Sequence, residues 1–496
     1  MWLGIDVGTG GSRALLVDER GAVRAGFTAP HEDMHMERPL WAEQRPENWW
    51  DAVVLAVRGV LAKGGISGTE VKGVGLSGQM HGLVILDSAN QVIRPSLIWC
   101  DQRSQPQVDF VNTKVGREKV LEYTANPVLT GFTLPKLLWV RDNEPANFGR
   151  VKKMLLPKDY VRFQLTGEFA SEVSDASGTS VFDVVKRRWS WEMMDALGLD
   201  RAILPQCYES SEISGRITSE AATLTGLVAG TPVAGGGGDQ ASSAVGNGIV
   251  EEGIVSCTLG TSGVVFAHME KVAYDPAGRV HTFCHAVRNK WHVMGVTQGA
   301  GLSLQWFRNQ LAPGTDYDTL TAEAAQSPAG AQGLLWLPYL MGERTPHLDA
   351  TIRGGWIGLT AKHRRADLIR AVIEGVSYSQ RDCLDIIEGL GVAVSSVRAS
   401  GGGAQSGFWR RLLAGILHKR VVTLETQEGS AYGAALLALA GTGAYSSVPE
   451  VCRAAIRETE SVCPDEGEAE FYEKAHRIYQ ALYPALKPVC REIAAL

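Results

Sequence analysis

Asp6 stands between the short apolar run Leu3-Gly4-Ile5 and the glycine-rich turn Gly8-Thr9-Gly10-Gly11. Such a turn lets backbone N–H groups converge with no side chain in the way, which makes a concavity for anions. A carboxylate at its mouth offers the oxygen ligand that a hard divalent cation on a polyphosphate takes. A second carboxylate, Asp239, follows Gly235-Gly236-Gly237-Gly238 and opens a predicted helix. Two readings of Asp239 stand side by side. It is either an N-cap bonding the next N–H groups or a general base whose small neighbours admit a substrate hydroxyl. A third glycine cluster, Gly401-Gly402-Gly403 with Gly407, follows a predicted strand and opens a helix. Bare backbone of that kind suits a flat purine and its ribose. No Gly-Lys-Ser or Gly-Lys-Thr occurs, which excludes a P-loop, and no His-Arg-Asp or Asp-Phe-Gly set of a protein kinase is present.

The elements that must position these residues are legible in outline. Leu3–Asp18 reads as strand, turn, strand; Asp18-Glu19-Arg20-Gly21 is turn chemistry, and Ala22–Phe27 reads as a third strand. A dinucleotide fold would place a helix directly after its glycine loop. Trp49, Trp50, Val53, Val54, Val57, Val60 and Leu61 form one helical stripe, and Leu368 through Leu390 a longer one. Short β-rich runs, Gly73–Leu76 and Leu83–Leu86, lie between such helices, so the class is α/β. About half a chain after the first hairpin, Ile254–Phe266 is again strand, turn (Gly260-Thr261-Ser262-Gly263), strand. The repeat predicts two related domains facing each other across a cleft, each giving a loop to one polyphosphate. The boundary is expected near Gly246-Asn247-Gly248, which gives units of 1–247 and 248–496.

A chain of 496 residues suits two domains. Its formal charge of -6 supplies no basic footprint for nucleic acid or an anionic membrane, so neither is an expected partner. No apolar run approaches the ~20 residues that span a bilayer. With no leader pattern and 8 scattered cysteines, a cytoplasmic protein with reduced thiols is expected. His281, Cys284, His285 and His292 lie close in sequence, but the stretch alternates like paired strands. Their side chains need not converge on a metal, and a structural reading is preferred.

The chain resembles the FGGY family of carbohydrate kinases. Gly131–Asn143 and the run from Gly354 through Leu359 to Glu374 resemble the family's two signatures. Ser77–Gly82, Leu156–Tyr160 and Leu337–His347 are similar to the branch that acts on D-xylulose. The resemblance implies two actin-like (ribonuclease H-like) ATPase domains across a cleft. It also implies ATP-dependent phosphorylation of D-xylulose on its 5-hydroxyl, with ribulose or an arabinitol as alternative substrates. A reading of another class is an actin- or Hsp70-like ATPase. By resemblance, Asp239 is the catalytic base and Asp6 assists Mg2+ through water. Thr9, Gly10, Gly11 and Arg13 lie by the phosphates of ATP, with Gly260 and Thr261 opposite, and Gly301, Gln305, Gly402, Gly403 and Gly407 near the nucleoside. Met80 and His81 match the pair that contacts the sugar, where glycerol kinases carry an Arg-Glu pair; Gln79, Trp99, Asp101 and Gln240 complete that side. Cys100 stands where relatives often carry Asn, and Gly10–Arg13 looks more like the glycerol-kinase loop. The small sugar is the expected partner, and the assembly is open, a homodimer being one option. The tail after Gly441 reads as helical filler without a motif.

Overall fold

In the computed structural model, which describes residues 1–496, the first apolar run forms β1 (Trp2–Val7). The glycine turn returns the chain as β2 (Gly11–Val17), followed by β3 (Val23–Pro30). The first apolar stripe forms α1 (Pro46–Gly64), which buries Trp49, Val53, Val57 and Val60 and crosses to β4 (Gly73–Gly78). β4 lies parallel to β1. The predicted hairpin is therefore present, and the predicted helix serves as a crossover between parallel strands. The chain then passes through α2 (Thr133–Asn143), β5 (Ile213–Arg216), β6 (Pro232–Ala234) and β7 (Gly237–Gly238) into α3 (Asp239–Gly246). The first sheet runs β5-β6-β4-β1-β2-β3, with β7 beside the end of β4.

The second half repeats this plan. β8 (Gly253–Leu259), β9 (Gly263–Met269), β10 (His281–Cys284) and β11 (Trp291–Thr297) lead into α4 (Gly301–Leu311). After α5 (Arg365–Gly389) come β12 (Val394–Ser400), α6 (Gly407–Leu417), β13 (Arg420–Leu424) and α7 (Gly429–Gly441). β14 (Glu458–Val462) and α8 (Glu466–Ala494) close the chain. The second sheet runs β10-β11-β9-β8-β12-β13-β14. The orders β3-β2-β1-β4-β6 and β11-β9-β8-β12-β13 have one topology. In each, an antiparallel meander flanks the central strand and two parallel strands follow on the other side. Both glycine loops leave the equivalent strand, β1 or β8. Each sheet has its own core, built on Leu3, Ile5, Val53 and Val74 in the first and on Val255, Val265, Val372 and Val397 in the second.

One helix does not stay with its own half. α7 lies on β1, β4 and α3, and glycine makes the approach possible. A Cβ on Gly4 would stand 1.9 Å from the Ala431 carbonyl, and one on Gly75 1.8 Å from that of Ala434. A Cβ on Gly433 would stand 1.7 Å from the Ser242 carbonyl of α3. The tail is more than filler, contrary to the expectation. α8 buries Tyr472 and Tyr479 in the second core, and Tyr479 Oη meets Tyr339 Oη at 3.0 Å. No helix is long and apolar enough to cross a membrane.

Gly433→Ala is expected to destabilise the fold by roughly 1–3 kcal/mol, because both neighbours are rigid helical backbone. Gly389→Ala, at a helix end with open space around it, is the control and should be close to neutral. Denaturant midpoints measure both, and equal midpoints would contradict the packing argument.

Candidate active site

The phosphate-type loops stand at the carboxyl ends of the parallel strands, where open α/β sheets bind ligands. At the end of the first sheet Asp6 is in register with Arg13 on β2 and Ser77 on β4, and Gly238 with Gly78. Gly8 N–H closes the turn on Gly11 O at 3.0 Å, and Gly10 faces open space. Asp6 Oδ1 is buried without a partner, so the residue keeps a free oxygen donor of the kind a hard cation takes. Burial raises the Asp6 pKa, against the hydroxyls of Ser430 and Ser77 and the charge of Arg13. Thr9 is held on both sides: its carbonyl accepts from Gln44 Nε2 at 2.7 Å and its hydroxyl from Trp99 Nε1 at 2.9 Å. Arg13 is committed to Glu428, the residue before α7, and donates to Thr28 Oγ1 at 3.0 Å. It ties the two halves together at the mouth.

Asp239 is the first residue of α3, while Gly238 takes the N-cap position. Its carboxylate therefore does not serve as the cap. Gly238 N–H donates to Ser174 Oγ at 3.1 Å, and Ser174 Oγ in turn donates to Glu172 at 2.9 Å. Beneath lies the fully buried Lys158, 2.6 Å from Asp159 and 3.4 Å from Asp175, which gives the Leu156–Tyr160 motif a supporting role. Burial, with the charge of Asp6 next, pushes the Asp239 pKa up to about 7, within reach of a general base.

Beside Asp239 opens a cavity of about 550 Å³, and four expected sugar-side residues, Met80, His81, Trp99 and Gln240, line it. His81 has a left-handed backbone (φ 69°), which puts its carbonyl where Thr133 Oγ1 (3.1 Å) and Lys136 Nζ (3.0 Å) donate to it. Its Nδ1 lies 2.9 Å from Gly178 O. A carbonyl only accepts, so Nδ1 carries the hydrogen and Nε2 keeps a lone pair for a ligand hydroxyl. The ring stacks on Phe132 at 4.5 Å, and burial holds its pKa well below the usual range, so it is neutral at pH 7. Glycine shapes both members of the pair. A Cβ on Gly178 would stand 2.4 Å from His81 Nδ1, and one on Gly238 2.9 Å from Met80 Sδ. Lys136 is fully buried, and burial pushes its pKa down to about 7.

Two expected sugar-side residues, Gln79 and Asp101, are not among those that line this cavity, and Gln79 Oε1 is buried without a partner. Gln79 Nε2 donates to Gly8 O and Gln44 Oε1, and the buried Asp101 accepts from Ala42 N–H at 2.7 Å and pairs with Arg103 at 2.8 Å. Sequence reasoning missed Phe132, Gln298, Glu343 and Arg344 in this cavity. Phe132 and the Glu343-Arg344 pair lie in the signature stretches already singled out, but nothing in their spacing assigned them to the wall.

In the second sheet the ends of β8 and β12 pair side by side, Thr258 with Ser400. The loops that follow enclose a second cavity, of about 620 Å³. Gly260, Thr261, Gly301, Gln305, Gly402 and Gly403 line it, with Tyr317 and Trp409 as apolar walls. Gly407 opens α6 one residue beyond the lining residue Ser406. Tyr317 follows the turn Pro313-Gly314, and no local signal marks it as part of a site. His281, Cys284, His285 and His292 are buried among Phe266 and Phe283, and no group of His, Cys, Asp or Glu side chains could hold a metal ion there.

Residues 1–246 match the N-terminal domain, and residues 255–442 the C-terminal domain, of the FGGY family of carbohydrate kinases. The chain belongs to that family. It is therefore a carbohydrate kinase, an enzyme that uses ATP on a small sugar, with the two-domain actin-like ATPase fold. It is 40% identical over 99% of its length to the xylulose kinase of Escherichia coli strain K12, of which 100% is covered. It is 38% identical over 98% of its length to that of Bacillus subtilis strain 168, of which 97% is covered. The crystal structure of a xyloylose kinase from Brucella ovis superposes with a TM-score of 0.93 at 38% identity, over 98% of this chain and 99% of that one.

In this FGGY kinase Lys136→Met is expected to raise the KM for the sugar about tenfold and leave the KM for ATP within about twofold, since the lysine meets the cavity only through the wall carbonyls of His81 and Gly131. Steady-state kinetics on a folded variant measure both. An unchanged sugar KM would separate Lys136 from His81.

Proposed function

We propose that this kinase transfers the γ-phosphoryl group of ATP to the 5-hydroxyl of D-xylulose, giving D-xylulose 5-phosphate. The observation that carries the reading is the seam between the two cavities. Adjacent residues Thr261 and Ser262 line the nucleoside-type cavity and the Asp239 cavity respectively. A nucleotide in the first thus directs its terminal phosphate toward a hydroxyl in the second. The choice of sugar is supported by the full-length likeness to curated xylulose kinases and by the neutral Met80–His81 wall.

In this mechanism Thr9, Gly10 and Gly11 from one side and Gly260 and Thr261 from the other cradle the phosphates. Gly301, Gln305, Gly402, Gly403 and Gly407 border the nucleoside. His81 Nε2 accepts from a sugar hydroxyl, and Met80 packs on carbon. Asp239 takes the proton of the 5-hydroxyl as its oxygen attacks the γ-phosphorus in line. Asp6 would hold Mg2+, whose charge would neutralise the phosphates. Closure of the halves over both ligands excludes water, which otherwise competes as a nucleophile. The sequence units proposed are 1–247 and 248–496, with α7 as the element by which the second grips the first. The 8 free cysteines support a reducing compartment, the cytoplasm.

ADP release across ketoses, aldoses and polyols should be greatest with D-xylulose. A preference for ribulose or an arabinitol would move the substrate within the family. Vigorous hydrolysis without any sugar would favour the filament or chaperone class. Asp239→Asn, isosteric but unable to accept a proton, should lower kcat at least about 100-fold with nucleotide binding retained. More than a tenth of wild-type kcat would rule out the base.

The pH dependence has a definite sign. A base must be unprotonated, and Asp239 titrates at about 7, so kcat/KM for the sugar should rise with pH up to about 7 and level off above it. A flat profile from pH 5.5 to 8 would contradict the assignment.

A further inference from the structure

The chemistry above leaves unused the stretch Leu337–His347, which approaches the sugar cavity from the second half. Arg344 lines that cavity together with Met80, His81 and Phe132. Its backbone N–H donates to Glu343 Oε1 at 2.7 Å, but its guanidinium has no hydrogen bond or ion pair within the protein. A guanidinium carries five N–H donors and a charge that never leaves it, so one half-buried in a cavity wall without a protein partner is free to meet a ligand. The neighbouring acids do not supply a partner. Glu343 Oε1 already accepts from Gln298 N–H at 2.8 Å, and burial pushes the Glu343 pKa up to about 8, which leaves it mostly uncharged at neutral pH. Asp349 is held by Tyr483 Oη at 3.0 Å and by Thr351.

The position of this charge is also informative. Burial is the first cause that lowers the pKa of His81 and of His281, and the charge of Arg344 adds to it. Arg344 thus faces the same cavity that Met80, His81 and Phe132 line. The loop that carries it is braced from behind by α8. His347 stacks on Tyr483 with ring centroids 3.5 Å apart, and Tyr339 Oη lies 3.0 Å from both His347 Nε2 and Tyr479 Oη. The loop is thereby packed against α8, and Arg344 lines the cavity in front of it.

We propose that Arg344 is a specificity-determining residue that donates to the carbonyl oxygen of a ketose. A guanidinium only donates and a ketone oxygen only accepts, so the two are matched. The C2 hydroxyl of the reduced polyol brings a proton for which Arg344 has no acceptor, and a site built on paired groups discriminates against such a mismatch. The inference rests on the ketose reading of the cavity, and the experiment separates the two.

Wild-type enzyme, Arg344→Gln and Arg344→Lys are assayed with D-xylulose, D-arabinitol and an aldonic acid, with thermal unfolding as the check on folding. Arg344→Gln should lower kcat/KM for D-xylulose about 10- to 100-fold, mainly through KM, with the KM for ATP within about twofold. Its preference for D-xylulose over D-arabinitol should shrink, and Arg344→Lys, which keeps a charged donor, should recover part of both. An unchanged sugar KM, an equal rise in the KM for ATP, or an unchanged ketose-to-polyol ratio would overturn the proposal. So would a wild-type preference for the aldonic acid, because Arg344 would then face a carboxylate. Wild-type turnover of a different ketose, with the same variant effects on it, would overturn the choice of D-xylulose and support Arg344.

Discussion

Backbone contact between α7 and the first sheet is the constraint on which the rest depends. Three glycines, Gly4, Gly75 and Gly433, let a helix from the second half approach β1, β4 and α3 at distances that no Cβ allows. That contact sets where the β8 loop stands relative to the β1 loop, and hence whether one nucleotide can reach both. It also brings Ser430 beside Asp6 and Glu428 onto Arg13, so this contact and the phosphate end are built from the same few residues. A close-packed interface of this kind resists sliding of one half over the other.

Around that contact the ionisable groups of the candidate site are shifted toward their uncharged forms. Burial is the first cause for Asp6, Asp239, His81, Lys136 and Glu343 alike. Carboxylates pushed up and bases pushed down keep few fixed charges inside, which lowers the cost of enclosing a neutral sugar. The same low polarity strengthens each remaining interaction with a phosphate. Support comes from behind: the Lys158 network under Gly238, Lys136 and Thr133 under His81, and α8 under the Leu337–His347 loop. The residues that would touch ligand are few, and the residues that hold them are many.

Much of this was legible in one chain. The alternation of apolar runs with glycine turns specified β1, β2, β8 and β9, the apolar stripes specified α1 and α5, and matched hairpins half a chain apart specified a doubled fold. These are local properties, since strand and helix periods and turn chemistry depend on neighbours in sequence. Glycine clusters also marked both phosphate-type loops and the Asp239 turn, because bare backbone is needed wherever a ligand or another backbone comes close.

Tertiary structure decided what local pattern cannot carry. Gln79 and Asp101 have the right types and lie near the right motif, yet their partners are Gly8, Gln44, Ala42 and Arg103, and neither lines the cavity. Arg13 belongs to the phosphate loop by sequence, and a residue more than four hundred positions away claims its charge. Asp239 reads equally as an N-cap or a base in the sequence, and the fold gives the cap position to Gly238; the tail had no motif until Tyr479 and Tyr483 met Tyr339 and His347. For Gln79, Arg13 and the tail the deciding partner is distant in the chain. Residue type and spacing limit the chemistry a side chain can do, but which groups meet is set by packing between segments that the sequence does not place together.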